Sequence, residues 1–455
     1  MSTLEIRNPA TGALLAELPA DDATSIAAKA EAARDAQPAW AVRPLAERVA
    51  ILRRFRDTVV AEREALALTL TQEVGKPIAQ ARNELNGLVP RLDFFLDHVA
   101  EALADETVFD DASLRERISH VPLGLVANIS AWNYPWFVSC NVVVPALLAG
   151  NAVLYKPSEY ATLTGQHLVR LLHTAGVPLK ACALVIGGGA AGAALLEQPI
   201  DGLFFTGSHA TGTRIARALA GRLVKLQLEL GGKDPAYVRA DADPKVAAES
   251  LADGAMYNAG QSCCSVERIY VHEAIHDDFV RHFLATVDGF KAGDPLDDST
   301  YIGAITRATQ LDVLDAQVAD AKAKGARLER GGQRLPGQSY APTVFTNVDH
   351  RMELMREESF GPLIGIQKVK SDDEAIALMN DTRYGLTAGV YTKDEAVARA
   401  LLARVHAGSV YWNCCDRVSP RLPWSGVGDS GIGLTLSTYG IQTFTRPKAW
   451  HLRNP

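Results

Sequence analysis

The chain has 455 residues, of which 47% are hydrophobic and 22% charged, a composition that predicts two or three globular domains. Its formal net charge of −7, with no basic block, excludes a nucleic-acid partner, because neutralising phosphates requires clustered Lys and Arg. The most apolar segment, 137–155, is interrupted by Asn141, Pro145, Gly150 and Asn151, which excludes a membrane span.

The first half of the chain shows regular spacing of its apolar residues. Residues 22–105 show the 3.6-residue repeat of helices, and the polar alternation of 106–121 predicts a β-hairpin. From residue 123 onward, short apolar runs alternate with helical stretches, which predicts βαβ units and a doubly wound parallel sheet. The predicted strands are 125–129, 152–155, 182–186 and 203–205, and the helices between them include 161–175 and 190–198.

A second alternating region follows between about residues 235 and 410. It contains a predicted strand at 268–272 and predicted helices at 273–287, 312–324 and 373–380. The tail, 439–452, has the pattern of an extended segment. Because no long linker separates these regions, we expect packed domains with interleaved segments.

The cysteines and the amino terminus indicate a reducing compartment. The first residues contain no apolar signal segment, and none of the six cysteines has the Cys-x-x-Cys spacing of a metal site. We therefore expect no disulfide framework and no bound metal, and a cytoplasmic location. Free thiols matter here because only a thiolate can act as a nucleophile.

Two glycine turns each follow an apolar strand and begin a helix. The turn 187–192 fits the pattern G-x-G-x-x-G, but no carboxylate stands near 211–213, where the usual ribose-binding acid is expected. The second turn contains Gly207 and Ser208, which can approach a phosphate at a helix N-terminus. Together they favour a dinucleotide over the alternative, tight turns that bind nothing.

Three residues have the chemistry of a catalytic site. Cys263 follows a glycine turn, where backbone amides favour a thiolate, although a buried cysteine that only fills space is the commoner case. Glu229 stands between two leucines, so burial should raise its pKa toward that of a general base; the alternative is a surface residue at a strand edge. Asn133 follows a strand and can donate to an oxyanion, or can simply form a turn.

A series of short motifs connects these residues. In chain order they are Trp132-Asn133-Tyr134-Pro135, Lys156-Pro157-Ser158-Glu159, Phe205-Thr206-Gly207-Ser208, Glu229-Leu230-Gly231-Gly232-Lys233, Gly260-Gln261-Ser262-Cys263, Glu357-Glu358-Ser359-Phe360-Gly361-Pro362, Pro423-Trp424-Ser425-Gly426 and Ser430-Gly431-Ile432-Gly433. The series resembles the aldehyde dehydrogenase superfamily over nearly the whole chain. The resemblance implies an α/β fold with two doubly wound α/β domains and a β oligomerisation arm.

The same resemblance implies how the domains divide the chain. The NAD-binding domain would comprise 1–105 and 123–230, and the catalytic domain 231–433. The oligomerisation arm would comprise 106–122 and 434–455. Members of the family are dimers or tetramers, so a homodimer or homotetramer is expected.

The cofactor site also follows from the resemblance. The implied cofactor-binding residues are Trp132, Lys156, Glu159, Gly207, Ser208, Gly231, Glu358 and Phe360. Lys156 and Glu159 would bind the adenosine ribose, and Glu358 the nicotinamide ribose, with Phe360 beside the nicotinamide. Because Glu159 accepts from a free 2′-hydroxyl and repels a 2′-phosphate, NAD is favoured over NADP.

The resemblance gives the three candidate residues their roles. Cys263 would attack the aldehyde, the Asn133 amide and the Cys263 N–H would hold the oxyanion, and Glu229 would activate water to hydrolyse the thioester. Relatives that pass the acyl group to coenzyme A lack this Glu, so a free acid is the expected product. A coenzyme A-acylating relative and a non-catalytic binding protein of the same fold are the alternatives.

The substrate is a small-molecule aldehyde whose class the sequence leaves open. By family position its tunnel would include Tyr134, Asn141, Tyr257, Trp412 and Trp424. An apolar slot for an aromatic or alkyl aldehyde is favoured, because Asn141 weakens an aromatic box for the trimethylammonium group of betaine aldehyde. The third possibility is a carboxylated semialdehyde, bound by Arg417 and Arg421 in the loop before Trp424.

Overall fold

The computed structural model describes residues 2–453 and confirms the predicted α/β class. Within these residues the α-helices are α1 (Ala23–Ala41), α2 (Leu45–Val74), α3 (Ile78–Ala102), α4 (Pro135–Leu148), α5 (Thr162–Ala175), α6 (Gly189–Leu196), α7 (His209–Leu219), α8 (Pro244–Met256), α9 (His276–Asp288), α10 (Ala308–Ala323), α11 (Asp372–Asn380), α12 (Glu395–Leu402) and α13 (Ser437–Gln442). The strands are β1 (Thr3–Arg7), β2 (Leu14–Pro19), β3 (Glu106–Asp110), β4 (Leu114–Pro122), β5 (Leu125–Ile129), β6 (Ala152–Lys156), β7 (Cys182–Leu184), β8 (Gly202–Thr206), β9 (Lys225–Glu229), β10 (Asp234–Val238), β11 (Val266–His272), β12 (Arg327–Arg330), β13 (Arg334–Leu335), β14 (Ser339–Tyr340), β15 (Thr343–Thr346), β16 (Leu363–Val369), β17 (Thr387–Tyr391), β18 (Ser409–Trp412), β19 (Gly431–Ile432) and β20 (Thr445–Arg453).

The helical periodicity of 22–105 corresponds to α1, α2 and α3. Asp22 caps α1 by accepting a hydrogen bond from the Ser25 N–H at 2.9 Å, and the Ser25 hydroxyl in turn accepts from the Asp22 N–H. Helix α2 ends at Gly75, whose φ of 79° lies in the left-handed region that ends helices. Helices α2 and α3 supply buried residues to the core on one face of the first sheet, whereas α1 places Ile26, Ala30 and Ala33 in the core on the other face.

The first large sheet has six strands in the order β19-β9-β8-β5-β6-β7. Strands β5 to β9 are parallel, as the alternating strand and helix pattern predicts, and β19 joins antiparallel beside β9. Buried apolar residues cover both faces of this sheet, which is the normal environment of parallel strands.

The second large sheet has seven strands in the order β12-β15-β16-β11-β10-β17-β18. Its strands are parallel except β12, and it has its own hydrophobic core. The helices predicted here are present, although α10 begins at Ala308 rather than 312 and α9 begins at His276 rather than 273. The domain boundaries drawn from the sequence stay a prediction.

The predicted hairpin and tail form a three-stranded antiparallel sheet in the order β20-β4-β3. Strands β20 and β4 pair along their whole length, from Thr445 opposite Pro122 to Arg453 opposite Leu114. The prediction of an extended segment over 439–452 was wrong at its start, where α13 extends to residue 442. A short helix there buries Ile441 in the first core, and it is too short to produce a helical period in the sequence.

Two kinds of feature are absent from the part of the chain that the structure describes. Among residues 2–453, no helix combines the length and apolar character needed to cross a membrane. Over the same part of the chain, no group of three or more His, Cys, Asp and Glu side chains is placed to hold a metal ion.

Candidate active site

Neighbouring parallel strands of the first sheet end together at the candidate site. Thr206, the last residue of β8, pairs with Glu229, the last residue of β9, and β5 lies on the other side of β8. Parallel strands present their carboxyl ends at one edge of a sheet, where ligands usually bind. The turn after β5 carries Asn133, and the turn after β8 carries Gly207 and Ser208.

Glu229 ends its strand with a buried carboxyl group. The Thr435 hydroxyl donates a short hydrogen bond to Oε1, and the Thr206 hydroxyl donates to Oε2 at 3.4 Å. Burial raises the pKa of Glu229 to about 7, against the opposing effect of these hydrogen bonds and of the Arg91 charge. A carboxyl group with this pKa exchanges protons near neutral pH, which suits a general base.

A strained loop precedes Cys263. Asn258, Ala259 and Gly260 follow α8 with φ values of 54°, 53° and 68°, a region that non-glycine residues rarely adopt. The Asn258 side chain joins this loop to the loop that contains Asn133, because Asn258 Nδ2 donates to the Asn133 carbonyl oxygen at 3.3 Å. The structure therefore brings the Cys263 loop and the Asn133 loop together.

The turn after β9 also contacts the Cys263 loop. A methyl group at Gly232 would lie 3.1 Å from the Cys263 carbonyl oxygen, so glycine is the residue that permits this approach. Gly232 stands three residues after Glu229, whose backbone carbonyl accepts a 3.0 Å hydrogen bond from the Gly207 N–H. The candidate nucleophile, base and oxyanion donor are thus carried by loops that contact one another.

The two adjacent cysteines lie in different surroundings. Cys263 is partly exposed, whereas Cys264 is 4% exposed and its thiol donates to Asp416 Oδ1 at 2.9 Å. Hydrogen bonding to Cys263, burial and the Asp416 charge raise the pKa of the Cys264 thiol well above its ordinary value. Cys264 is therefore held as a thiol, which leaves Cys263 as the candidate nucleophile.

The predicted adenosine side of the cofactor site lies between β6 and α6. The buried Lys156 ends β6, and its Nζ donates to the Pro157 carbonyl at 3.1 Å. Burial lowers the pKa of Lys156 and the Glu159 charge opposes this, so the two predicted ribose ligands interact electrostatically. Gly192 of α6 lies against the Lys156 side chain, while a methyl group at Gly188 would meet nothing within 4 Å. The turn is open beside Lys156, which fits a dinucleotide.

The second glycine turn leads directly into α7. Ser208 caps this helix, with Oγ accepting from the Thr211 N–H at 3.4 Å. The first N–H groups of a helix attract anions, and here they follow the turn at Gly207. The arrangement suits a phosphate group at the carboxyl edge of the sheet.

Segment 358–360 faces the predicted nicotinamide side. The Gly232 N–H donates to Glu358 Oε1 at 3.2 Å, and a side chain at Gly231 would collide with the Glu358 carboxylate. Burial raises the pKa of Glu358 to about 8. Phe360, with φ 45°, meets the Trp132 ring edge-on at a centroid distance of 5.6 Å. These residues, widely separated in sequence, are therefore brought together.

A buried ion pair holds this segment in place. Lys233 Nζ lies 2.5 Å from Glu267 Oε2 and donates to Ser359 Oγ at 3.1 Å. Glu267 also accepts from the backbone N–H groups of Ser359 and Phe360, at 2.8 and 3.0 Å. The motif containing Lys233 was visible in the sequence, but nothing in the sequence indicated Glu267.

The predicted substrate side begins with a stacked aromatic pair. Tyr134 and Phe137 lie nearly parallel, at 4°, with ring centroids 6.0 Å apart. Each ring already contacts a cation: Lys76 Nζ lies 3.7 Å from the Tyr134 centroid, and Arg91 Cζ lies 4.1 Å from that of Phe137. Lys76 forms a fully buried ion pair with Glu84, so its charge is neutralised within the protein.

Three other predicted substrate residues lie near the same loops. Asn141 is buried on α4, and its Oδ1 accepts from Arg91 Nη1 at 3.0 Å. Tyr257 is half-buried and immediately precedes the strained loop. Trp424 is buried, and its backbone pairs with that of Thr435, the residue that holds Glu229.

Trp412 and the two loop arginines are placed differently. Trp412 lies on β18, the edge strand of the second sheet, is 39% exposed and donates from its indole to the Thr392 carbonyl at 3.0 Å. Within residues 2–453, no described contact joins it to the other predicted substrate residues. Arg417 and Arg421 are exposed.

Comparison with known proteins identifies the family of this chain. A sequence profile of the aldehyde dehydrogenase family matches residues 1–450. A putative succinate-semialdehyde dehydrogenase [NADP(+)] from Mycobacterium ulcerans is 36% identical over 445 residues, which are 96% of this chain and 86% of that protein.

Solved structures give the same result. An NAD-dependent aldehyde dehydrogenase from Sinorhizobium meliloti is 34% identical with a TM-score of 0.96, over 99% of this chain and 91% of that one. An indole-3-acetaldehyde dehydrogenase from P. syringae, solved with NAD+, is 31% identical with a TM-score of 0.96, over 99% and 93% of the two chains. The chain therefore belongs to the aldehyde dehydrogenase family and is, as its motifs predict, an enzyme that oxidises aldehydes.

Proposed function

We propose that this enzyme uses NAD to oxidise an aldehyde to the free carboxylic acid through a thioester on Cys263. One observation carries the proposal: Asn258 ties the Cys263 loop to the Asn133 backbone, and the turn after Glu229 packs on the same loop. These contacts support a site in which Cys263 is the nucleophile, Asn133 the oxyanion donor and Glu229, with a pKa of about 7, the base.

The first half of the reaction forms the thioester. The Cys263 thiolate adds to the carbonyl carbon, and the Asn133 amide and the Cys263 N–H donate to the oxygen that becomes negative. Lys156, Glu159, Ser208 and Glu358 would hold NAD, which when bound would supply the acceptor for the hydride of this carbon. Collapse of the oxyanion then leaves an acyl group on the Cys263 sulfur.

The second half of the reaction releases the acid. Glu229 removes a proton from water, whose oxygen adds to the thioester carbon under the same two oxyanion donors. The carbon–sulfur bond breaks, Cys263 leaves as a thiolate, and Glu229 returns its proton to solvent. Because water is the acceptor, no coenzyme A is required, and product release that depended on coenzyme A would favour the acylating alternative.

Replacing Asn133 with Ala should lower kcat about 10²–10³-fold, because one oxyanion donor typically contributes about 2.7–4 kcal/mol to transition-state stabilisation. The change should leave KM for the aldehyde nearly constant, since the donor acts mainly after attack. Steady-state NADH formation measures both constants. Asn86→Ala, an exposed asparagine on α3, serves as the control. A change confined to KM would assign Asn133 to substrate binding instead.

Glu159→Gln should raise kcat/KM for NADP at least about tenfold relative to NAD, because removing one repulsive charge near the 2′-phosphate is worth roughly 1.4 kcal/mol. The Sinorhizobium enzyme is NAD-dependent, whereas the Mycobacterium relative is named for NADP, so this preference needs measurement. Glu101→Gln, at an exposed position near the end of α3, is the matched control. An unchanged NADP to NAD ratio would remove Glu159 from cofactor selection.

The aromatic pair narrows the substrate alternatives. A trimethylammonium group needs a free aromatic face, but Lys76 and Arg91 already contact Tyr134 and Phe137. The betaine aldehyde alternative is therefore disfavoured. An aldehyde with an alkyl or aromatic chain remains the better fit to the surface formed by Tyr134 and Phe137. A screen of NADH formation over alkyl, aromatic, trimethylammonium and carboxylated aldehydes tests the proposed function. Absence of NADH with every class would overturn it.

A further inference from the structure

Glu73, in the last turn of α2, caps a helix to which it does not belong. Its side chain is buried and accepts from the backbone N–H groups of Leu163 and Thr164, at 2.5 and 2.9 Å, and from the Thr164 hydroxyl at 2.9 Å. Leu163 and Thr164 are the second and third residues of α5, whose own cap residue, Ala161, offers no side-chain acceptor. The start of α5 is therefore held by α2 and not by a local cap.

The turn between β6 and α5 is joined to this start of the helix. The Thr162 hydroxyl donates to the Ser158 carbonyl at 3.1 Å. Gly165 of α5 lies so close to Pro157 that a methyl group on the glycine would be 2.6 Å from the proline ring. The turn and the first residues of α5 form one packed unit, so a shift of the helix start would also move Glu159.

This turn carries the residues proposed to bind the adenosine ribose. Glu159 lies within it, and Lys156 ends β6 directly before it. Tyr160 of the same turn meets the ring of Trp132, another proposed cofactor residue, at a centroid distance of 6.5 Å. Within residues 2–453 the Glu73 carboxylate forms hydrogen bonds only to α5, so it would act on the cofactor through the turn.

The end of α2 is itself anchored to the segment that precedes α10. The Thr306 hydroxyl donates to the Val74 carbonyl at 2.5 Å, and the Ala304 N–H donates to the Gly75 carbonyl at 3.0 Å. A methyl group on Gly75 would be 2.6 Å from the Ala304 side chain, which shows how closely the two segments pack. Glu73 therefore supports α5 from a position that is fixed on its other side.

We infer that Glu73 is a positioning residue for the dinucleotide: by capping α5 it fixes the turn in which Glu159 would receive the adenosine ribose. A site that is ordered in only a fraction of the molecules binds its ligand more weakly by that fraction. Loss of the cap should therefore weaken cofactor binding and leave the reaction at Cys263 unchanged once the cofactor is bound. The inference rests on the proposed function, because it assumes that Glu159 contacts the cofactor.

The first test measures NAD binding by calorimetry without aldehyde. Glu73→Gln replaces one acceptor oxygen with an NH₂ group, which cannot accept from the α5 N–H groups. We expect the Kd for NAD to rise about tenfold, equivalent to about 1.4 kcal/mol. In turnover, KM for NAD should rise in parallel, whereas kcat and KM for the aldehyde should stay within about twofold.

Glu62→Gln is the matched control, because Glu62 also joins α2 to α5. It pairs with Arg170, about two helical turns beyond the start of α5, and should leave the Kd for NAD unchanged. An unchanged Kd in Glu73→Gln, or an equal rise in Glu62→Gln, would overturn the inference and leave the proposed function intact. Failure of the unmodified chain to bind NAD would overturn both.

The second test separates the adenosine side from a general loss of stability. ADP-ribose, which lacks the nicotinamide, should lose affinity for Glu73→Gln by the same factor as NAD. Thr164→Val removes one donor to Glu73, and the Kd for NAD should rise about threefold. This variant decides the matter if Glu73→Gln does not fold, which thermal unfolding reports. A lower Tm of Thr164→Val with an unchanged Kd would mean that the cap only stabilises the fold, and would overturn the inference.

Discussion

Replacing Cys263 with Ala is expected to lower kcat for aldehyde oxidation by at least about 10³-fold, because the change removes the sulfur on which the proposed thioester forms. The adjacent Cys264 cannot take over, since its thiol is buried, donates to Asp416 and has a raised pKa. NADH formation under saturating aldehyde and cofactor measures the loss. The affinity for NAD, measured by calorimetry, should be unchanged, because the Cys263 sulfur is proposed to contact the aldehyde and not the part of NAD that determines its binding.

Cys264→Ala is the matched control for this experiment. It removes a neighbouring sulfur of the same size from a buried position that makes no proposed contact with substrate. We expect its kcat to stay within about threefold of the unmodified enzyme. If Cys264→Ala lost turnover and Cys263→Ala kept it, the nucleophile would have been assigned to the wrong cysteine.

Glu229→Gln is expected to lower steady-state turnover about 10²–10⁴-fold while sparing the first turnover. An amide cannot remove a proton from water, so hydrolysis fails after the thioester has formed. A rapid burst of NADH, close to one equivalent per active site, should therefore precede a slow steady state. Stopped-flow absorbance separates the two phases. Glu249→Gln, at an exposed position on α8, should show no such separation.

The unmodified enzyme should show the corresponding pH dependence. Burial raises the pKa of Glu229 to about 7, and the base must be ionised to act. Turnover should therefore fall about tenfold for each pH unit below this pKa and level off above it, provided that hydrolysis limits the rate. The acidic limb should be absent in Glu229→Gln. A limb that persists in the variant would belong to another group.

The fold was predictable where local pattern and tertiary structure agree. Alternating apolar runs predicted β5, β6, β7 and β8, because strands covered by helices on both faces need continuous apolar sequence. The short helix α13 was missed, since so few residues have no measurable period and the helix depends on burying Ile441. The predicted first residues of α9 and α10 differ from the observed ones by a few residues, because the end of a helix depends on its capping residues rather than on apolar periodicity.

The candidate site could be proposed from the sequence only where its residues stand in contiguous motifs. Cys263, Glu229 and Asn133 each occur within a recognisable segment, and their loops prove to be in contact. Arg91 and Asp416 gave no such signal, because their partners Asn141 and Cys264 lie 50 and 152 residues away in sequence. The sequence around a single Arg on a helix is the same whether that side chain faces solvent or a buried Asn.

The aromatic side chains show the limit of assigning a tunnel by motif position. Tyr134, Tyr257 and Trp424 lie near the candidate site, whereas Trp412 lies half-exposed on an edge strand. Sequence position places a residue in a loop or strand but does not determine which way its side chain points. The stacked cations on Tyr134 and Phe137 could be recognised only in three dimensions.

The most direct test of the thioester mechanism is to trap its intermediate. Glu229→Gln is mixed with NAD and an accepted aldehyde, quenched in acid and analysed by intact-protein and peptide mass spectrometry. The mechanism predicts one added acyl group per chain, carried by the sulfur of Cys263, in an amount equal to the NADH burst. Stoichiometric NADH with an unmodified chain, or an acyl group on Cys264, would contradict it.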